Sequence, residues 1–182
     1  MIAHVIHDSR HTDRLDRFVK EAKVQGFEFV IHQAVKSETK VEGVGMAHKL
    51  VVSEARERGE TEVLIMEDDV KFTAPGAFNF FIRKKPVEFD LYLGGIMTGT
   101  PKKGMVPDFS GLHCYIVAAR FYDVFLSAGN TTFGNTANID RWLTNKGLFK
   151  VCMPMIAFQW DPNNKGGYDR LTGKYPKYHR NF

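Results

Sequence analysis

The chain has only two cysteines, Cys114 and Cys152, far apart in apolar surroundings and without metal-type spacing. No zinc site or disulfide scaffold is expected from them. They read as two buried thiols in a reducing compartment. Long apolar runs are also missing. The longest span a few residues, far short of the ~20 that a membrane-crossing helix needs. The N-terminal MIAHVIHDSR has no basic start followed by an apolar stretch. No signal peptide is therefore expected, and the expected location is cytoplasmic. Internal repeats and low-complexity tracts are absent, and no linker is visible before the C-terminus. Charge of one sign is scarce as well. The formal net charge of +4 suits a pocket for an anionic small molecule as well as it suits a basic surface. The basic residues are scattered, apart from Arg83-Lys84-Lys85 and the tail from Lys174 to Arg180, and no nucleic-acid partner is expected.

What is present is enough apolar material for one core: 43% of 182 residues fits a single folded domain. Strand and helix signals alternate, as in α/β proteins. IAHVIH (2–7) reads as a strand. Leu15, Phe18, Val19 and Ala22 then recur at helical spacing, with Thr12 as N-cap and Gly26 as stop. FEFVIHQAV (27–35) reads as a second strand. After EGVG a helix carries Ala47, Leu50, Val51 and Ala55 on one stripe and ends at Gly59. VLIM (63–66) is an unbroken apolar run, the mark of a strand covered on both faces. Further strands are expected at 89–95, 111–118, around FKVCM and around IAFQW. Helices are expected from Ala119 and over 138–147. From Asp161 onward the chain turns polar and reads as loop or tail.

VLIMEDDVKF places Glu67, Asp68 and Asp69 directly behind the buried run. In α/β sheets ligands sit outside the carboxyl ends of the strands. If the strand persists through Asp69, Glu67 and Asp69 share one face and Asp68 takes the other. Hard divalent cations such as Mg²⁺ and Mn²⁺ prefer such oxygen ligands, commonly one or two carboxylates plus substrate phosphates. A solvated strand-to-loop junction is the plain alternative.

Two families share this string. Receiver domains of response regulators end a first strand in an acid pair, and FDLYLGGIM is similar to their phosphoacceptor strand. That reading fails on three counts. Gly95 stands at the phosphoacceptor position, the gap from Asp68 to Gly95 is too short, and about 60 residues of strand and helix precede the acids.

The chain more closely resembles the GT-A glycosyltransferases, and within them family 25, the lipopolysaccharide- and collagen-type galactosyltransferases. The likeness runs as an ordered series over residues 1–160. HDSRHTDR places Arg10 and Arg14 at spaced positions. EGVGMAHKLVVSEA is similar to a Gly-x-x-x-[Ser/Ala]-His segment, with Gly43, Ala47 and His48 in register. VLIMEDDVKF matches the family's version of the DxD motif. GLHCYIVAARFYDVFL, NIDRWL with Asp140, and AFQW with Gln159 follow. The late Ser-Asp-Ile-like element is absent, and the chain is shorter than most members.

The resemblance implies a GT-A-like, Rossmann-like domain over 1–160, a mixed and mostly parallel sheet flanked by helices, with 161–182 as tail. It implies transfer of a sugar from a nucleotide-diphosphate donor to a hydroxyl of a glycan acceptor, with inversion and with Mn²⁺ or Mg²⁺, as in polysaccharide biosynthesis. Asp69 would bind the metal, with Glu67 in support directly or through water. Asp68 would hold the ribose. Arg10 and Arg14 would pair with the nucleotide or its phosphates. Gly43 and Gly45 would let the backbone approach the nucleotide and expose helix-start amides, and His48 would contact substrate. Asp140 would be the base for the acceptor hydroxyl. His179, with Lys177 and Arg180, would reach the metal or diphosphate from the tail. A degenerate, non-catalytic nucleotide- or sugar-binding member is the alternative.

Overall fold

The computed structural model describes residues 1–129 and 138–160. The expected contacts of Lys177, His179 and Arg180, and most of the Gly- and Asn-rich loop before Asp140, lie outside the described residues.

The chain runs β1 (Ala3–His7), α1 (Thr12–Gln25), β2 (Phe29–Gln33), α2 (Lys40–Glu57), β3 (Glu62–Glu67), β4 (Val70–Phe72), α3 (Ala77–Arg83), β5 (Leu91–Leu93), β6 (Thr98–Gly99), β7 (Phe109–Ser110) and β8 (Cys114–Ala118). A 3-10 turn (Ala119–Phe121) leads into α4 (Tyr122–Leu126), followed by α5 (Ile139–Leu143), β9 (Phe149–Val151) and β10 (Ala157–Gln159). Six strands form one sheet in the order β2-β1-β3-β8-β5-β9. β8 runs antiparallel to both its neighbours, and the other five strands are mutually parallel. The sheet is therefore mixed and mostly parallel, as expected.

β3 sits at the centre because its residues are apolar on both faces. Val63 and Ile65 join a cluster with Ala47, Val51 and Tyr115 on the α2 side. Leu64 and Met66 join Phe18, Ala22 and Phe81 on the opposite side. Burying each such side chain contributes on the order of 1.5–3 kcal/mol, so β3 anchors both layers. Cys114 and Cys152 are buried and free, as expected.

Several local expectations change. α1 begins at Thr12, with His11 at the N-cap position and no side-chain cap bond. Gly26 does end this helix, in the left-handed conformation at φ 72°. Val19 and Leu50, placed on the apolar stripes, are exposed. The residues that α2 buries include His48 and Val52 beside Ala47, Val51 and Ala55. α2 starts at Lys40, before EGVG, because the Thr39 side chain accepts the Glu42 N–H at 3.2 Å and caps it. α3 carried no helical signal in the reading of the sequence, and α5 spans five residues rather than ten.

The strand carrying the acids does not persist through Asp69. β3 ends at Glu67, Asp68-Asp69 form a turn, and the chain continues into β4. β4 pairs antiparallel with β10, placing Gln159 opposite Val70. The expected alternation of the three acids over two faces of one strand is thereby replaced by a bend that aims them individually.

Candidate functional site

The site lies at the carboxyl ends of β1 and β3, where an α/β sheet offers its ligand crevice. Asp68 is buried, and its N–H donates to the Ile6 carbonyl at 3.1 Å. Its Oδ2 accepts from His7 Nδ1 at 2.7 Å, and its Oδ1 lies 3.4 Å from Arg14 Nη1. The same Arg14 nitrogen is 3.4 Å from Asp69 Oδ2. Asp68 and Asp69 thus share one guanidinium. Glu67 turns elsewhere: its Oε1 is 3.3 Å from His48 Nε2, and its Oε2 accepts from Gln159 Nε2 at 2.6 Å.

The environments drive the carboxyls apart. Asp69 is pushed up to about 8, first by burial and then by the negative charge of Glu67, with Arg14 pulling the other way. Its Oδ1 is buried and has no hydrogen-bond partner among the described residues. For Glu67 burial works upward too, but the hydrogen bond from His48, the nearby His113 and the Gln159 amide prevail and hold it below its usual value.

Arg10 stands on the cavity wall with its side chain largely exposed, forked onto Asp8 at 2.9 and 3.1 Å. That hydrogen bonding holds Asp8 well below the usual carboxylate range. Gly43 and Gly45 are not at a helix start. They lie inside α2, and the Gly43 N–H is already taken by the Thr39 carbonyl at 3.1 Å. A Cβ on Gly43 would sit 2.4 Å from the Val35 carbonyl oxygen, so this glycine serves the close approach of α2 to the segment after β2. His48 is fully buried and its Nδ1 is 2.8 Å from the Tyr115 hydroxyl, which leaves it behind the acids rather than on open surface.

Asp140 lies in the first turn of α5 and is buried. Its Oδ2 accepts the Gly111 N–H and its Oδ1 the Arg141 N–H, both at 2.8 Å. Burial raises it above the ordinary aspartate value in spite of these bonds. Gly94 and Gly95 are filled from within the protein. A Cβ on Gly95 would meet the Ala157 carbonyl oxygen at 2.0 Å, so β10 occupies the space that a diphosphate or sugar would need there.

A cavity of about 710 Å³ joins these residues, with Arg10, Arg14, Glu67, Asp68 and Asp69 on its wall. This is a common size for a small-molecule site. A smaller one of about 160 Å³ contains Asp140 and shares Glu67, His48, Asn138 and Gln159 with the larger. Eight of the nine residues assigned to the metal, the nucleotide or the base from the sequence (Arg10, Arg14, Gly45, His48, Glu67, Asp68, Asp69 and Asp140) therefore line one of two adjoining cavities. Gly43 is absent from both linings. His7 and Tyr115 were missed. His7 carried a signal, because it closes β1 at the ligand end of the sheet. Tyr115 carried none, since its role depends on where α2 packs.

Among the described residues, no three His, Cys, Asp or Glu side chains converge as a ready-made metal cage. Four carboxylates line the larger cavity, Asp8, Glu67, Asp68 and Asp69, and the unpartnered Asp69 Oδ1 is the kind of orphaned oxygen that a hard cation satisfies. Glu67 and Asp69 fit a Mg²⁺ or Mn²⁺ ion that takes its remaining ligands from phosphate and water. No helix among the described residues is long and apolar enough to cross a membrane.

No family model matches the sequence, and no curated protein matches it. Solved structures do resemble the fold. One is the protein A197 from STIV, with a TM-score of 0.55 at 12% identity, covering 88% of this chain and 85% of that one. Another is a glycosyltransferase involved in glycosylation of the major capsid of PBCV-1, with a TM-score of 0.54 at 13% identity, covering 84% and 81%. A third is a mutant Drosophila β-1,4-galactosyltransferase 7 in complex with manganese, UDP-Gal and xylobiose, with a TM-score of 0.52 at 11% identity, covering 82% of this chain and 63% of that one. At such identities the likeness shows the fold alone: a GT-A-like, mixed and mostly parallel α/β sheet flanked by helices.

Proposed function

We propose that this chain is a metal-dependent glycosyltransferase, moving a sugar with inversion from a nucleotide-diphosphate donor to a hydroxyl of a glycan acceptor. The order of motifs supports a member of the family 25 type working in polysaccharide assembly. The observation that carries the reading is the meeting of Asp68, Asp69 and Arg14 in one 710 Å³ cavity at the end of β3, on a fold of GT-A type.

The chain's own groups divide the work. Asp68, fixed by His7, offers a carboxylate oxygen to the ribose hydroxyls. Arg14, and Arg10 once it releases Asp8, pair with phosphate oxygens, which a planar guanidinium meets with two parallel N–H bonds. Asp69 and Glu67 would hold the cation, which when bound would offset the negative charge that gathers on the departing diphosphate. Asp140, raised by burial, takes the proton from the acceptor hydroxyl as that oxygen attacks the anomeric carbon. The bond from that carbon to the diphosphate breaks on the opposite face. The upward direction makes Asp140 a stronger base than an ordinary aspartate.

A second reading, binding without turnover, is favoured by one observation: both oxygens of Asp140 already accept a backbone N–H. The two separate by experiment. Thermal unfolding with UDP, GDP or CDP, each with and without Mn²⁺, should show metal-dependent stabilisation by one nucleotide under either reading. Release of free nucleotide from the matching nucleotide-sugar in the presence of a hydroxyl acceptor is expected only under the first. Absence of stabilisation by every nucleotide with metal would reject both.

A further inference from the structure

β2 is the outer strand of the six-stranded sheet, and among the described residues no strand lies beyond it. Its register fixes which backbone groups stay free. The Ala3 N–H donates to the Glu28 carbonyl at 3.0 Å and the Ala34 N–H to the His7 carbonyl at 2.8 Å, with Val5 opposite Ile31. Successive residues of a strand turn their backbone groups to its two sides in alternation. Glu28, Val30, His32 and Ala34 therefore bond to β1, while Phe29, Ile31 and Gln33 turn N–H and C=O outward. Phe29–Gln33 has none of the devices that usually blunt such an edge: no lysine, no proline and no bulge. Val30 and Ile31 are instead 42% exposed each. Neighbours on a strand face opposite ways, so apolar surface is open on both faces of the sheet.

The helices on the two faces continue this surface. α1 lies over β2, where Phe18 meets Phe29 edge to face with centroids 5.1 Å apart. One flank of α1 is engaged away from β2, through Arg14 on Asp68 and Asp69, Arg17 on Trp160 and Glu21 on Lys71. The other flank carries Asp16, Val19 and Lys23, all exposed. On the opposite face α2 reaches β2 through Glu54 and His32, 3.6 Å apart. Leu50, one turn before Glu54 on the same side of α2, is exposed as well.

We propose that β2 is a dimerisation edge: two copies of this chain join antiparallel through Ile31 and its neighbours, with α1 against α1 and α2 against α2. Antiparallel pairing of a strand with its own copy sets a two-fold axis normal to the sheet, and each side offers the same patch to the other. The helix flanks select a second copy as the occupant. An added peptide strand would cover the backbone edge and leave Val19 and Leu50 bare. A second copy brings a helix to each of them at once. Charge fits the same axis. Asp16 and Lys23 stand seven residues apart on one stripe of α1 with Val19 between them. Neither has an ion-pair partner in its own chain among the described residues. Across the axis Asp16 meets the partner's Lys23, and Lys23 meets the partner's Asp16.

Sedimentation velocity of the full chain over a range of micromolar concentrations should show a reversible dimer. Asp16→Lys should weaken it about tenfold, because it turns two attractive contacts into repulsive ones. Adding Lys23→Asp to the same chain should restore it. Both residues are exposed, so neither change puts folding at stake. Amide hydrogen exchange reads the strand residue by residue. The N–H groups of Val30 and His32 face β1 and should exchange slowly at every concentration. Those of Ile31 and Gln33 should exchange fast in dilute protein and slow down as the dimer forms. Neither measurement needs nucleotide or metal, so the result stands apart from the proposed function. Protection of Ile31 and Gln33 at every concentration would place another part of the same chain on the edge and overturn the proposal. A chain that stays monomeric throughout, a dimer that Asp16→Lys leaves intact, or a double variant that fails to restore it would each overturn it too.

Discussion

Gln159 donates its side-chain amide to Glu67 across 2.6 Å, tying the end of β10 to the end of β3. The contact exists because β10 lies flat against the backbone at Gly95, where even a methyl group would be 2.0 Å from the Ala157 carbonyl oxygen. Gly95→Ala should therefore lift β10 and loosen Gln159 from Glu67. An overpacked site of this kind costs about 1–3 kcal/mol. Thermal unfolding should show a clearly lower midpoint, and crystal or NMR data should show Gln159 withdrawn. Unchanged stability would mean that β10 does not press on this glycine.

The two glycines of α2 should respond in opposite directions. A Cβ on Gly43 meets the Val35 carbonyl at 2.4 Å, whereas one on Gly45 meets only the Ile139 Cβ at an ordinary 3.9 Å. Alanine inside a helix is favoured over glycine by roughly 0.5–1 kcal/mol. Gly45→Ala should be stabilising by about that amount, and Gly43→Ala destabilising by ~1–3 kcal/mol. Chemical denaturation of the two variants reads the contrast directly. Equal effects would indicate that the backbone after β2 gives way.

These glycines also show where the sequence was legible. The unbroken run Val63–Met66 announced a strand covered on both faces, and it became the centre of the sheet with one cluster on each side. Gly26 announced a helix end and supplied one, in the left-handed conformation. Those signals are local. The start of α2 was misplaced because Gly43 and Gly45 look like loop residues, while the deciding feature, the Thr39 side chain on the Glu42 N–H, precedes them. The acids were legible as a group, since a buried strand fixes where they emerge. Their separate fates were not. Asp68 turns to His7, 61 positions away, and Glu67 to Gln159, 92 positions away, and no spacing in the sequence encodes either pair. The family resemblance supplied Asp140 and its neighbourhood, but not the two backbone N–H groups that hold it.

Asp69 predicts a pH dependence with a definite sign. Its carboxyl is raised to about 8 in the folded chain, against an ordinary value of 3.8. Below about pH 4 it is protonated whether folded or not, and nothing is lost. Between there and pH 8 the folded chain holds a proton that the unfolded chain releases, so stability falls as pH rises. Asp69→Asn should remove this slope and leave the variant more stable than wild type at pH 8. Metal binding must expel the same proton. Mn²⁺ affinity should therefore climb by up to about tenfold per unit between pH 6 and 8 and level off above. Calorimetry across that range checks it, and a pH-independent affinity would remove Asp69 from the ligand set.

Asp140→Asn separates catalysis from binding. Loss of a general base lowers turnover by about 10²–10⁴-fold. Nucleotide binding should persist, because Asp140 lines the smaller cavity while Arg14, Asp68 and Asp69 line the larger. The substitution also carries a modest structural cost. The N–H groups of Gly111 and Arg141 now bond to two different carboxylate oxygens, and asparagine offers only one oxygen, leaving its NH₂ facing a donor. A loss of ~1 kcal/mol in stability is expected, too little to unfold a typical domain. Turnover measured with saturating donor, beside the nucleotide dissociation constant, therefore reads the chemical step itself. If turnover stays within a few-fold of wild type while stability drops by that amount, the two hydrogen bonds are the whole role of Asp140: it would then be a fastener joining α5 to Gly111, and the proton acceptor would have to be sought elsewhere.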